Sequence, residues 1–333
     1  MRAHRISLAA LAASVLLIAS GCGQAGSSGG TAASTSAGPA HATCAPLAGD
    51  KLVVLTDDKG LQTADNIVPA INAAAVAGDT GLTSLLDAVS ATLDTKTLIG
   101  LNKSVDVDRQ TSTQVAAQYL QAKGLAAQDM VGKGKKIVVG AANFSESATL
   151  AEIYAGVLRS AGYDASTQTI GNRDTYEPIL EKGDLTIVPE YAGTLTEYLN
   201  KKANGADAPA MASSDVDATL AKLKTLGKAV GLTFATPAAA QDQNAFAVTA
   251  AFAAKHKVKT LTQLAASCGG LVLGGPAECP TRPFCEPGLK KSYGLQVTDF
   301  TSLDAGGPLT KAALKQGKVA IGLVFSSDAV LAG

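Results

Sequence analysis

The chain has 333 residues, 47% of them hydrophobic, enough for two domains each with its own core. Lysine and arginine number 28 against 28 acidic residues. No Lys/Arg cluster could track a phosphate backbone, which argues against a nucleic-acid partner. With only three histidines, a Ser-His-Asp triad or a His-based metal centre has almost nothing to work with, and no cofactor motif is present.

The chain begins with Arg2 and Arg5, an apolar run over residues 8–18, and Ala19-Ser20-Gly21 before Cys22. A basic start, a short apolar core and small residues before a cysteine make an export signal over residues 1–21, too short at its core for a stable span. Its end resembles a bacterial lipobox, which implies that Cys22 is acylated, although Ala19 stands where leucine is usual. Without that segment 26 basic residues face 28 acidic ones, a net charge of −2. Residues 22–43 are mostly Gly, Ser, Ala and Thr and read as a flexible tether. No later apolar run reaches about 18 residues, so the body is expected outside the membrane.

Export places Cys44, Cys268, Cys279 and Cys285 in an oxidising compartment, and their even number suggests two disulfides. Three pairings are possible. Cys279 and Cys285 flank a short loop that could close on itself, and the favoured set is Cys279–Cys285 with Cys44–Cys268. A metal site is not expected, because zinc-type CxxC spacings and partner histidines are missing.

Residues 51–56 (KLVVLT) read as a strand and 57–60 as a turn, and 66–70 lead into a helical region. Leu82, Leu85, Leu86, Val89 and Leu93 recur at helical spacing, and residues 115–123 form another helix with Gly124 as its stop. The basic run at 133–136 sits among glycines and reads as a solvated connector. Residues 136–140 form a buried-type strand, after which Asn143 is the expected N-cap and Glu146 the capping-box partner of a helix. Leu150, Ile153, Tyr154, Val157 and Leu158 give that helix its stripe, and Gly162 ends it. A turn at 171–176 precedes a helix over 177–181.

The next stretch, 183–194, is the most informative. Residues 185–188 read as a short buried strand that Pro189 ends for want of an N–H. Glu190 and Tyr191 stand at the strand's carboxyl end, and Gly193-Thr194 opens a helix. Open α/β sheets keep ligands at such a place, although a strand–turn–helix with solvated polar groups reads the same. Strand and helix alternate here, implying parallel pairing and an α/β fold. A helix over 216–229 follows, then a polar patch at 241–244 and an apolar strand at 245–248, where the chain crosses to a second domain. There the same grammar returns: helix 261–266, strand 270–273, loop 274–287, strand 299–303, helix 309–315 and strand 319–325.

Several pieces together resemble the substrate-binding proteins of ABC importers for glycine betaine, choline, carnitine and related osmoprotectants. The residues that carry the resemblance are 139–146 (VGAANFSE), 183–185 (GDL), 189–194 (PEYAGT), Arg282-Pro283, 293–295 (YGL) and 325–328 (FSSD), with 52–59, 66–69 and Leu101-Asn102. The order departs from the family's, because the pieces at 51–126 usually come last. The chain thus looks circularly permuted, with the old ends joined through 127–135 and new ends opened between Gly333 and Cys44.

The resemblance implies a two-lobe periplasmic-binding-protein fold of type 2, with the ligand in a cleft between α/β lobes. Lobe one would be residues 57–237, and lobe two 44–56 plus 238–333. It implies a small-molecule solute, permease and ATPase partners, a monomer, and a place on the outer face of the cytoplasmic membrane. By position, Tyr191 and Tyr176 would hold a quaternary ammonium by cation–π attraction, with Glu190 and Thr194 beside them. Asn143 and Ser145 at a helix start, and Arg282 in the disulfide loop, would hold a carboxylate. Asp242, Asn244 and Asp304 complete the candidate set. Ordinary roles stand beside these: Tyr191 packed against the hinge, Arg282 in a surface salt bridge, Asn143 as a plain cap. The chain has no Trp, Phe246 replaces a frequent Tyr, the loop at 304–309 carries no ring, and Tyr119, Tyr154 and Tyr198 look like helix packing. The implied aromatic cage is therefore thin, which keeps open a different small polar solute. An extracellular enzyme is the contrasting class.

Overall fold

The computed structural model describes residues 42–329. Cys22, the export segment and the tether up to residue 41 lie outside the described residues. Within them the chain forms β1 (Leu52–Leu55), β2 (Ile67–Asn72), β3 (Lys136–Ala141), β4 (Asp164–Thr169), β5 (Ile187–Tyr191), β6 (Leu232–Phe234), β7 (Asn244–Thr249), β8 (Leu271–Pro276), β9 (Val297–Leu303) and β10 (Ile321–Phe325). No helix among the described residues is long and apolar enough to cross a membrane.

The strands build two five-stranded sheets, ordered β4-β3-β5-β2-β6 and β1-β7-β10-β8-β9. In the first, β3 runs parallel to β4 and β5, joined by the helices Ser145–Ser160 and Arg173–Lys182. Such crossovers are what the strand–helix alternation requires. In the second, β8 is parallel to β9 and β10. Each sheet is completed by antiparallel strands: β2 against β5 and β6, and β7 against β1 and β10.

The chain passes between the sheets twice, over residues 56–66 and 235–243. The two crossings lie side by side, bridged at Asn66 and Gln241, with the Asp242 N–H donating to the Asp65 carbonyl (3.1 Å).

Each sheet has its own core. In the first, Leu150, Ile153, Tyr154 and Leu158 from the helix Ser145–Ser160 pack with Ile67, Leu82, Leu86 and Ile187, all at most 1% exposed. Burying each side chain contributes about 1.5–3 kcal/mol. The second core gathers Phe246, Phe252, Leu264, Leu273 and Ile321.

Three local expectations are corrected. Residues 67–72 are a strand buried along its whole length, not the entrance to a helix. Pro189 does not end β5, which runs on to Tyr191 and sets Pro189 opposite Pro69 of β2. The Ala235 N–H donates to the Pro69 carbonyl, so the Pro69 main chain faces β6, and the two prolines meet at a pair position that needs neither ring nitrogen. The helix expected at 177–181 starts at Arg173, which puts Tyr176 on a helix rather than in a loop.

Both disulfides, Cys44–Cys268 and Cys279–Cys285, are formed. The first holds the segment before β1 against the second sheet's core. His256 packs against Phe252, with ring centroids 4.4 Å apart and the rings tilted by 41°. Its Nδ1 lies 3.5 Å from Cys44 Sγ. Ligand atoms of Cys44, His256 and Cys268 lie within 4.8 Å of one another, but both sulfurs are committed to the disulfide and offer no thiolate.

Candidate functional site

Successive strand residues face opposite ways, and at the tip of β5 this sends Glu190 and Tyr191 to different partners. Glu190 is buried toward the helix Arg173–Lys182, where Arg173 grips it from two nitrogens: Nε to Oε1 at 3.0 Å and Nη2 to Oε2 at 2.7 Å. The Tyr176 hydroxyl donates to Oε1 (2.7 Å) and the Tyr191 N–H to Oε2 (3.2 Å). Burial by itself would lower the Arg173 pKa, yet the Glu190 charge holds it above the usual value. Arg173 also donates to Thr194 Oγ1 (3.0 Å). The Glu190 carboxylate is thereby neutralised within the protein and lies beneath the cleft, not on its wall.

Tyr191 turns the other way and donates to Glu146 (2.7 Å). Glu146 also accepts from Asn102 Nδ2 (2.6 Å) and from the hydroxyl of Ser327, beyond β10 of the other sheet (2.6 Å). The expected capping box is therefore not formed. Phe144, whose ring has no hydrogen-bonding atom, is the N-cap and makes no side-chain capping bond, and the Glu146 carboxylate is drawn inward instead. The Ser327 N–H donates to Asp242 (3.1 Å), which joins the second crossing to the same buried cluster.

These acids are electrostatically strained. Burial raises the Glu146 pKa against the hydrogen bonds from Ser327, Asn102 and Tyr191. Burial, and then the Glu146 charge, hold Asp242 well above the carboxylate range. Burial pushes Asp65 on the first crossing up to about 7, although the Thr194 N–H donates to it (3.0 Å) and Arg173 pulls the other way. Tyr191 is raised by burial and then by the charges of Glu146 and Asp242.

Over this cluster lies a cavity of about 460 Å³ between the two sheets, within the usual size of small-molecule sites. Of the expected residues, Asn143, Tyr176, Tyr191, Thr194, Asp242, Asn244 and Arg282 line it. Asn143 is exposed, and its side chain makes no hydrogen bond among the described residues. Tyr176 is almost wholly buried, with its hydroxyl spent on Glu190. Asn244 donates to the Phe284 carbonyl (3.1 Å). Arg282 reaches across the opening to Asp174 on the other side (2.7 Å), 5.5 Å above the Tyr198 ring.

Ser145 and Asp304 lie elsewhere, on a second cavity of about 290 Å³. Asp304 caps the helix Pro308–Lys315, accepting from the Leu309 and Thr310 N–H groups at 2.9 Å. Phe246 is only 1% exposed and supplies no ring to the cleft.

Sequence reasoning missed several lining residues. Phe144, Phe284 and Phe325 bring three rings, Tyr198 proves to be a wall residue as well as a packing one, and Asp65, Arg173, Lys201 and Lys202 bring charge. One signal was available: a glutamate at the end of a buried strand needs a cation, and Arg173 in the preceding turn was the near candidate. The rings thus number more than the sequence suggested, and they surround both acidic and basic groups. Such a wall suits a compact solute carrying charge of both signs.

The chain matches the family OpuAC, the substrate binding domain of the ABC-type glycine betaine transport system, over residues 33–122 and 135–333. It belongs to that family. The family is a transport substrate-binding domain, and its members serve ABC transporters of the glycine betaine type. Among curated proteins nothing matches. A solved glycine betaine/carnitine/choline ABC transporter protein aligns at 21% identity over 59% of this chain and 71% of its own, with a TM-score of 0.39. NikA from Brucella suis, solved with Fe(III)-EDTA, aligns at 15% identity over 59% of this chain and 47% of its own, with a TM-score of 0.28. Membership rests on the family match.

Proposed function

We propose that this protein is the receptor of an ABC importer, capturing a small zwitterionic or quaternary-ammonium solute of the glycine betaine, choline and carnitine class. It would be exported, held by an acylated Cys22 on the outer face of the cytoplasmic membrane, and act as a monomer that hands solute to permease and ATPase subunits. The observation that carries this reading is the cavity between the sheets, lined by Phe144, Tyr191, Tyr198, Phe284 and Phe325 together with the acidic Asp65 and Asp242 and the basic Lys201 and Arg282.

The ammonium end binds over the rings of Tyr191 and its neighbours near the two aspartates, each ring contributing about 0.5–2 kcal/mol. The carboxylate end faces Asn143 and the basic residues. Lobe one is residues 57–237 and lobe two residues 44–56 with 238–333, a division supported by the membership of the two sheets. A permuted order is supported by the family match falling in two stretches that leave 123–134 unmatched, across the supposed join. Binding of a different small polar solute is the second reading. It is favoured by the engagement of Arg282 with Asp174, which leaves a carboxylate one cation fewer.

Calorimetric titration with glycine betaine, choline, carnitine, proline betaine and ectoine tests the proposal. At least one should bind, and Tyr191→Ala should weaken it at least tenfold while Tyr191→Phe, which keeps the ring, weakens it less. Unchanged affinity in the alanine variant removes Tyr191 from the site. Failure of all five while another small polar solute binds overturns the solute class and leaves the transport role standing.

A further inference from the structure

The larger cavity does not end at solvent on every side. It shares Asn143, Phe144, Ala305 and Phe325 with the second cavity, so these residues stand between the two. Phe144 follows β3 of the first sheet and Phe325 ends β10 of the second. Their ring centroids are 5.5 Å apart, within the range of a favourable aromatic pair. Phe144 is backed by Tyr191 at 6.2 Å. Behind Phe325 stands Gly306, where an added Cβ would come within 3.1 Å of the ring. Both rings are thus held in place from behind.

The two compartments differ in chemistry. The larger presents rings with groups of both charges. The smaller is walled by Asp106, Glu146, Asp304 and Asp328, with the glycines and Pro308 that begin a helix.

We propose that the Phe144–Phe325 pair is a partition that sets the length of solute the cleft accepts, making these two residues determinants of specificity. This rests on the reading of the larger cavity as the solute site. Each ring comes from a different sheet, so the partition exists only when the two halves are together, and it meets a solute as the cleft closes. A short zwitterion fits the larger compartment alone, whereas a longer one must push a ring aside or leave one end unmatched. A single methylene too many in a fitted pocket changes discrimination about 10–200-fold.

The test uses the full chain with Phe325→Ala and the milder Phe325→Leu. Glycine betaine and its homologues with two and three carbons between nitrogen and carboxylate are titrated calorimetrically. The affinity ratio of the longest to the shortest should rise at least tenfold in Phe325→Ala, with Phe325→Leu between it and the parent. A ratio unchanged within threefold, with the shortest homologue still bound, overturns the proposal. Crystal structures of parent and Phe325→Ala give the second readout: one continuous cavity in the variant supports the partition, and two separate cavities overturn it. If the parent binds none of the homologues, the solute reading has failed, and the crystal structures still decide the partition.

Discussion

Replacing Arg173 by methionine tests how the floor of the cleft is held. The guanidinium makes three contacts of 2.7–3.2 Å to Glu190 and a fourth, of 3.0 Å, to Thr194. Glu190 has only 1% of its side chain exposed. Methionine fills much of the same space, but it leaves the carboxylate with the Tyr176 hydroxyl and the Tyr191 N–H alone. Stranding one partner of a buried ion pair costs about 3–5 kcal/mol. At roughly 2–4 °C per kcal/mol for a chain of this size, the melting temperature should fall by about 6–20 °C. Arg173→Met/Glu190→Leu, which removes both charges, should recover at least half of that loss. Thermal melts followed by circular dichroism at low and high salt make the measurement, and the loss should persist at high salt because a buried pair is poorly screened. A loss below about 1 kcal/mol, the size expected of a solvated pair, would refute the reasoning. So would a double variant no more stable than the single one.

Three further outcomes follow from the same contacts. Asp65 has its folded pKa raised from 3.8 to about 7, so the folded chain holds more protons across that window. Its contribution to stability therefore falls as pH rises from about 4 to about 7 and is flat above. Asp65→Asn should gain melting temperature relative to the parent over that window, and a difference that stays constant with pH would count against burial as the cause. The two disulfides close loops of very different length, with sequence separations of 224 and 6. On a chain-entropy estimate, Cys44→Ser/Cys268→Ser should cost about 5 kcal/mol and Cys279→Ser/Cys285→Ser about 2 kcal/mol; equal losses in calorimetric melts would contradict that ordering. Gly193→Ala should cost about 1–3 kcal/mol by overpacking, since its Cβ would come within 2.6 Å of the Ala64 carbonyl oxygen and 2.4 Å of Thr63 Oγ1. A neutral result in denaturant titration would mean that this junction yields.

What the sequence made legible, and what it hid, divides along the range of the interactions. Periodicity within one segment identified the helix Ser145–Ser160, the α/β alternation and the placing of Tyr191 at a strand tip, because each is decided by neighbours a few residues away. The strand β2 was hidden by Pro69, which is tolerated in a register opposite Pro189, some 120 residues on, where that pair exchanges no ladder hydrogen bond. Tyr198 shares its helix with Leu195 and Leu199 and looked like packing; Arg282, reaching over from the other sheet, makes it a wall residue. Phe246 failed in the opposite direction. It lies on the same face of β7 as Asn244, which lines the cavity, but two residues deeper, about 7 Å from the tip. A ring there serves the core however well its type suits a ligand. Phe144 and Phe325 were each visible as part of a motif, yet neither motif states that the two rings meet. Their joint position depends on the two sheets facing each other across paired crossings, and no single segment encodes that. The residues that define the cleft are therefore those least readable one segment at a time, because a cleft between two sheets is built from contacts that neither sheet makes alone.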